Sequence, residues 1–265
     1  MRSTKWIFCP KEQPDAKLRL FCFHYAGSGA SVFKDWPYSF SPEIEVYAIK
    51  LPGRESRFIE EPYRRITELI EDLVPEILPF FDKQFVFFGH SIGAHISFYL
   101  IRHLRRNNLP LPIHMFASGA RAPHLPEQPD ALHYKMDEQK FITKLIELGG
   151  MDEEILHNKE LMDLILPILR ADVEILNTIE YVEEEPLDCS ISSFGGLYDP
   201  RVSREDSEAW NKHTYGNFSL TMIPGKHLFI NSHREQVIDL IKKDIRIKYD
   251  DILLTGNMFQ QGRSY

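Results

Sequence analysis

The sequence predicts an α/β fold in which helices flank a mostly parallel sheet, with a helical lid inserted in the second half. Short apolar runs alternate with segments of helical periodicity, which is typical of βαβ units. The alternation stops between residues 123 and 185, where helical patterns follow one another without a good strand. One strand-to-helix junction also carries the sequence Gly-His-Ser-Ile-Gly at residues 89–93.

The elements before this junction are predicted from apolar runs and turn residues. Each strand is a short apolar run of the kind found in buried strands, and a Pro-Gly pair follows the second strand. A later segment repeats apolar side chains at helical spacing. In chain order we predict a strand at 18–24, a helix at 31–40, a strand at 45–49 and a helix at 64–81.

The junction follows an apolar strand at residues 84–88 and precedes an amphipathic helix that runs to residue 106. A Gly-x-Ser-x-Gly sequence in this context is typical of a nucleophile elbow. Its glycines let the strand and helix approach closely, and the helix N-terminus favours developing negative charge. The pattern therefore predicts Ser91 as a nucleophile. The alternative is a tight turn with an incidental serine.

The elements after the junction include residues 123–185, where the alternation of strands and helices stops. They are a strand at 113–118, helices at 139–148 and 159–181, a strand at 190–196, a helix at 204–212, a strand at 218–223 and a helix at 232–243. We expect residues 123–185 to form a lid over the carboxyl ends of the strands, where ligands bind in open sheets. The alternative is a helical subdomain that only stabilises the fold. Residues 1–265 are expected to form one domain.

The composition narrows the class of protein. The 265 residues, 43% of them hydrophobic, suffice for one large core. A net charge of −8 argues against nucleic-acid and anionic-membrane binding. No apolar run reaches the ~18 residues of a membrane span, and residues 1–8 lack the apolar core of a signal peptide. We expect a cytoplasmic monomer.

The three cysteines are Cys9, Cys22 and Cys189. Their number is odd and their spacing fits no metal motif, so we expect buried thiols in a reducing compartment.

A nucleophilic serine needs a histidine base and a carboxylate that orients it. In α/β-hydrolases these follow the serine in the order carboxylate, then histidine, each just beyond a late strand. Asp199 and His227 meet both conditions. The competing residues lie before a strand, within a helix or beside the serine, and they are Asp188, Asp206, His90, His213 and His233.

An acyl-transfer site also needs donors for the oxyanion of the tetrahedral intermediate. One is the backbone N–H of Ile92, the residue after the nucleophile. The other comes from the loop after an early strand, and the small-residue loop Tyr25-Ala26-Gly27 makes Ala26 the first choice. The alternative for this loop is an ordinary turn.

Six stretches together resemble type II thioesterases of nonribosomal peptide and polyketide synthesis, and the related medium-chain thioesterase of fatty acid synthase. They lie at residues 21–27, 51–57, 87–91, 148–151, 170–172 and 224–229. The resemblance implies an α/β-hydrolase that removes acyl groups from the phosphopantetheine thioester of a carrier protein, clearing stalled or aberrant units. It implies Ser91, Asp199 and His227 as the triad, with no metal and no cofactor.

Departures from the family pattern leave every catalytic group in place. The family usually has methionine at Ile92, a change that keeps the backbone N–H. The family usually has proline where this chain has His24. The His24 side chain either packs at a strand end or touches substrate. Because carrier proteins are acidic, docking needs local positive charge. The candidates are Arg54 and Arg57, or the helical arginines Arg102, Arg105 and Arg106, for which the alternative is a solvated helix face.

Two other functions share parts of this pattern. A general carboxylesterase or lipase-like hydrolase would use the same triad and differ only in substrate preference. A catalytically silent hydrolase fold would act as a binding protein, and the intact set of Ser91, Asp199 and His227 argues against it.

Overall fold

The structure is a computed structural model that describes residues 3–147 and 158–246. Its strands are β1 Ile7–Phe8, β2 Leu18–Phe23, β3 Ile44–Ile49, β4 Gln84–His90, β5 His114–Ser118, β6 Ser190–Gly196 and β7 Phe218–Ile223. Its α-helices are α1 Ile66–Ile77, α2 Ile92–Arg106, α3 Glu138–Glu147, α4 Lys159–Asn177, α5 Arg204–Glu208, α6 Phe229–Ser232 and α7 at 234–246.

The strands form one sheet in the order β1-β3-β2-β4-β5-β6-β7. Every neighbouring pair is parallel except β1 with β3. Strands β2, β3 and β5 are buried along their whole length, which explains why their sequences are mostly apolar and do not alternate between apolar and polar residues. The mostly parallel sheet with flanking helices confirms the predicted fold class.

Two apolar clusters cover the two faces of the sheet. Successive side chains of a strand point to opposite faces, so Phe87 packs in one cluster and Phe88 in the other. The first cluster includes the apolar stripes of α1 and α2, and the second includes Val237 and Ile241 of α7. The carboxyl ends of β4, β6 and β7 are thereby held at one edge of the sheet.

Several boundaries differ from those predicted. Residues 31–40 form two short 3-10 helices, Ala30–Phe33 and Trp36–Tyr38, because Phe33 and Trp36 turn inward onto Phe88. Strand β1, only two residues long, was not predicted. Helix α4 ends at Asn177, four residues before the predicted end. The final helix is interrupted at His233.

The three cysteines are buried thiols, as predicted. Within the described ranges, no helix combines the length and apolarity needed to cross a bilayer.

Candidate active site

Strand β4 delivers Ser91 to the start of α2 through a strained turn. The Ser91 backbone has φ 56° and ψ −120°, which non-glycine residues rarely adopt. A Cβ on Gly89 would lie 2.1 Å from the carbonyl oxygen of Gly93, and a Cβ on Gly93 would lie 2.2 Å from that of Phe23. Both glycines are therefore required for the close approach of strand and helix.

The structure brings the predicted Ser91, Asp199 and His227 together. Nε2 of His227 lies 3.2 Å from Oγ of Ser91, and its Nδ1 lies 2.7 Å from Oδ2 of Asp199. The backbone N–H of Arg201 donates to the other Asp199 oxygen at 2.8 Å and fixes the carboxylate. A neutral imidazole donates from Nδ1 to the carboxylate and can accept the serine proton at Nε2. The geometry suits the predicted roles, which remain predictions.

Two of the competing residues, Asp206 and His213, are engaged elsewhere. Asp206 forms a capping box with Ser203 and pairs with Arg121 at 3.0 Å. His213 is buried, with Nε2 2.8 Å from Nδ1 of His124.

His90 is turned away from Ser91, as predicted, but it supports the site from behind. Its Nε2–H donates to the backbone carbonyl of His227 at 2.9 Å, and its Nδ1 accepts from the Ser118 hydroxyl at 2.9 Å. The ring also packs edge-on against Phe229. His90 therefore holds the backbone of the catalytic histidine candidate. The sequence signal for this role was a polar residue at the end of a buried strand.

His24 packs at the strand end and does not line the cavity over Ser91. It is buried, and Nδ1–H donates to the carbonyl of Tyr25 at 3.0 Å. Burial, reinforced by the nearby Arg54 cation, lowers the pKa of His24 to about 4, so the ring is neutral. Of the two alternatives for this residue, the geometry favours packing.

The two predicted oxyanion donors both adjoin Ser91. Ile92 is the first residue of α2, so its N–H has no acceptor within the helix. Ala26 lines a narrow cavity together with Ser91 and His227. Among the described residues no acceptor takes the Ala26 N–H, whereas the next N–H, that of Gly27, donates to Asp172. The arrangement suits Ala26 and Ile92 as the donors, and their role remains a prediction.

A buried ion pair fixes the loop that carries Ala26. Arg54 and Asp172 form two parallel hydrogen bonds of 2.8 Å, with side chains only 6% and 2% exposed. Oδ2 of Asp172 also accepts the N–H of Gly27 at 2.8 Å, and Arg54 donates to the carbonyl of Ser28 at 3.1 Å. The pair therefore joins helix α4, the Pro-Gly turn and the candidate oxyanion loop.

The arginines expected to dock an acidic partner are mostly engaged inside the protein, which corrects that expectation. Arg54 and Arg57 are buried, and Arg57 pairs with Glu60 at 2.8 Å while stacking over the ring of Trp6. Three arginines of α2 converge on the carboxylate of Glu184, and they are Arg102, Arg105 and Arg106. Arginines bind carboxylates in fixed geometry, so these cations stabilise loops instead of forming a free basic patch.

A cavity of about 280 Å³ lies above Ser91 and His227. Helix α4 contributes apolar side chains to its wall, including Val173 and Leu176, and the loop before α3 contributes Leu132. Its polar lining groups include His95, Arg121, Asn177 and Arg201. The segment between β5 and β6, predicted to be a lid, thus supplies much of the wall over the nucleophile.

The histidines of the site are held neutral. Burial is the main cause that lowers the pKa of His227, the Arg201 cation lowers it further, and the hydrogen bond to Asp199 opposes both. Burial also lowers the pKa of His90 well below its usual range. A neutral His227 is the form that can accept the serine proton at neutral pH.

We expect the reaction of Ser91 with a fluorophosphonate probe to slow only in moderately acid solution. Because the pKa of His227 is lowered from 6.5, the neutral base persists at pH 6.5 and is lost as pH falls through the lower value. Labelling rates measured between about pH 4 and 8 should give a single acid limb with a midpoint below 6.5. A midpoint above 6.5 would contradict the assignment of His227 as the base, and Ser91→Ala supplies the unlabelled control.

Comparison with known proteins identifies the family. The sequence profile of the thioesterase domain matches residues 18–245. The chain belongs to the thioesterase family. This thioesterase is 41% identical over 244 residues to the gramicidin S biosynthesis protein GrsT of Aneurinibacillus migulanus. The alignment covers 92% of this chain and 95% of the relative. It is 33% identical over 239 residues to the medium-chain S-acyl fatty acid synthase thioesterase of Homo sapiens, covering 86% and 87%.

A solved structure is similar over the same extent. RedJ, a thioesterase from the prodiginine biosynthetic pathway of Streptomyces coelicolor, superposes with a TM-score of 0.81 at 32% identity, covering 87% of this chain and 91% of that one. The α/β-hydrolase fold and the family resemblance are thus confirmed. Of the segments that carried the resemblance, residues 148–151 lie outside the described part of the thioesterase.

Proposed function

We propose that this thioesterase hydrolyses acyl groups from the phosphopantetheine thioester of carrier proteins in nonribosomal peptide or polyketide synthesis. The observation that carries the proposal is the hydrogen-bonded array of Ser91, His227 and Asp199 beneath an acyl-sized cavity in a member of this family. The reaction clears stalled or aberrant acyl units.

In the acylation step, Nε2 of His227 takes the proton of Ser91 while Oγ attacks the thioester carbonyl. The N–H groups of Ile92 and Ala26 donate to the oxyanion of the tetrahedral intermediate. Loss of one such donor typically costs ~3 kcal/mol of transition-state stabilisation. The intermediate collapses, the carbon–sulfur bond breaks, and the imidazolium returns its proton to the pantetheine thiolate as it leaves.

In the deacylation step, water attacks the acyl-serine with His227 again as the base, the ester bond to Oγ of Ser91 breaks, and the imidazolium returns its proton to that oxygen. Asp199 holds the imidazole in the required tautomer and stabilises the imidazolium that forms in each half-reaction. No redox chemistry is involved, and the products are a free acid and the carrier thiol.

A carrier-bound substrate is supported by the relatives. One is named for gramicidin S biosynthesis and another for fatty acid synthase. A narrow cavity lined by Ala26, Leu132 and Leu169 also adjoins Ser91.

A hydrolysis panel tests the proposal. The same acyl group is presented on a carrier protein, on coenzyme A and as a p-nitrophenyl ester, with Ser91→Ala as the background. We expect kcat/KM for the carrier-bound thioester to exceed that for coenzyme A by about tenfold or more, the equivalent of ~1.4 kcal/mol of docking free energy. A higher kcat/KM for the p-nitrophenyl ester would instead indicate a general carboxylesterase.

A further inference from the structure

Arg201 stands in the loop after β6, two residues beyond Asp199, and faces the catalytic cavity. It lines both the 280 Å³ cavity and the narrow cavity, in each case together with Ser91 and His227. Arg201 is partly buried. This places a cation on the wall of the space that an acyl group would occupy.

The other charged side chains of the cavity wall have protein partners. Arg121 pairs with Asp206 at 3.0 Å, and Asp130 pairs with Lys144 at 3.3 Å. The remaining acidic residue of the wall is Glu127, and one of its carboxylate oxygens accepts a hydrogen bond from the Asn177 side-chain amide at 2.9 Å.

Arg201 differs from these groups. In the ranges 3–147 and 158–246, no carboxylate forms an ion pair with its guanidinium and no oxygen accepts a hydrogen bond from it. The carboxylate of Asp199 is already bound by His227 and by the Arg201 backbone N–H. Within those ranges the guanidinium, which carries five N–H donors, therefore has no protein acceptor.

An unpaired cation in this position is unfavourable for the free enzyme. Burial lowers the pKa of Arg201, because a charged group loses hydration there, and the attraction of the nearby Asp199 carboxylate offsets this only in part. The same cation lowers the pKa of His227 and so weakens the catalytic base. A bound anion would offset both effects, and a guanidinium fork matches a carboxylate in two parallel hydrogen bonds.

We propose that Arg201 binds a carboxylate carried by the acyl group, so that the thioesterase favours half-thioesters of dicarboxylic acids. The proposal rests on thioester hydrolysis at Ser91. The phosphate of the pantetheine arm is a poor candidate for this contact because two amide units separate it from the thioester. An acyl group with a cationic amine near Arg201 is disfavoured by like-charge repulsion.

The test compares two carrier-bound acyl groups of equal shape, succinyl and its terminal amide, succinamyl. We expect the unaltered enzyme to favour succinyl and Arg201→Leu to lower the ratio of the two kcat/KM values by about tenfold or more, the usual effect of losing a charge-assisted hydrogen bond. Arg201→Lys keeps the charge without the fork and should retain part of the preference. A change in the basicity of His227 would alter both kcat/KM values by the same factor, because both substrates use the same base, and would leave their ratio unchanged.

The matched control is Arg204→Leu, which removes an exposed arginine three residues away and should leave the ratio unchanged. An unaltered ratio in Arg201→Leu, or no preference for succinyl in the unaltered enzyme, would overturn the assignment. An equal fall in kcat/KM for both substrates would mean that Arg201 affects catalysis in general, and would also overturn the assignment. If carrier-bound thioesters are not hydrolysed at all, the proposed function fails, and the same pair as N-acetylcysteamine thioesters still decides the role of Arg201.

Discussion

Replacement of Ser91 by alanine is expected to lower the rate of acyl-carrier hydrolysis by ~10⁴-fold or more, because the variant has no hydroxyl to form the acyl-enzyme. The fold should persist. Alanine keeps the Cβ, and the side-chain oxygen contributes one hydrogen bond, to His227. Paired measurements of kcat/KM and thermal unfolding separate the two effects.

A serine within α2, the helix that follows Ser91, supplies the control. Ser97 is fully buried, and its hydroxyl donates to the Gly93 carbonyl at 2.8 Å. Ser97→Ala removes a comparable hydroxyl without touching the predicted triad, so we expect it to stay active. Retained hydrolysis in Ser91→Ala would contradict the nucleophile assignment. Failure of a fluorophosphonate to label Ser91 in the unaltered protein would instead favour a binding protein without catalysis.

Most of the sheet could be predicted because its physics is local. Buried parallel strands are mostly apolar, and such stretches recur at 18–23, 44–49 and 84–90. The positions of Ser91, Asp199 and His227 followed from the same reasoning, since each lies just beyond a strand and the strand ends share one edge of the sheet.

The parts that could not be predicted depend on distant pairs. Asp172 accepts from Gly27 and Arg54, which lie 145 and 118 residues away in the chain. No periodicity or turn motif encodes such a pair, so Arg54 was expected on the surface. The unpaired state of Arg201 is likewise visible only when its neighbours have been placed.

Replacement of Asp172 by asparagine is expected to lower the free energy of unfolding by about 3–5 kcal/mol, the usual cost of leaving a buried charge without its partner. Arg54 would keep its charge with no counter-ion. The change also replaces the carboxylate that accepts the Gly27 N–H with a neutral amide, so the neighbouring Ala26 N–H loses part of its support. Small displacements of catalytic groups can cost about 10²-fold in rate, and we expect kcat to fall toward that limit.

Two further variants separate stability from positioning. Arg54→Gln breaks the same ion pair but leaves the carboxylate of Asp172 to accept from Gly27, so it should lose similar stability with a smaller loss of kcat. Glu235→Gln removes one partner of an exposed pair with Arg234 and should change stability by only ~0–1 kcal/mol. Chemical denaturation measures the first quantity, and kcat at a temperature where all variants are folded measures the second. If Asp172→Asn keeps the kcat of the unaltered enzyme under those conditions, the ion pair stabilises the fold without positioning the oxyanion loop.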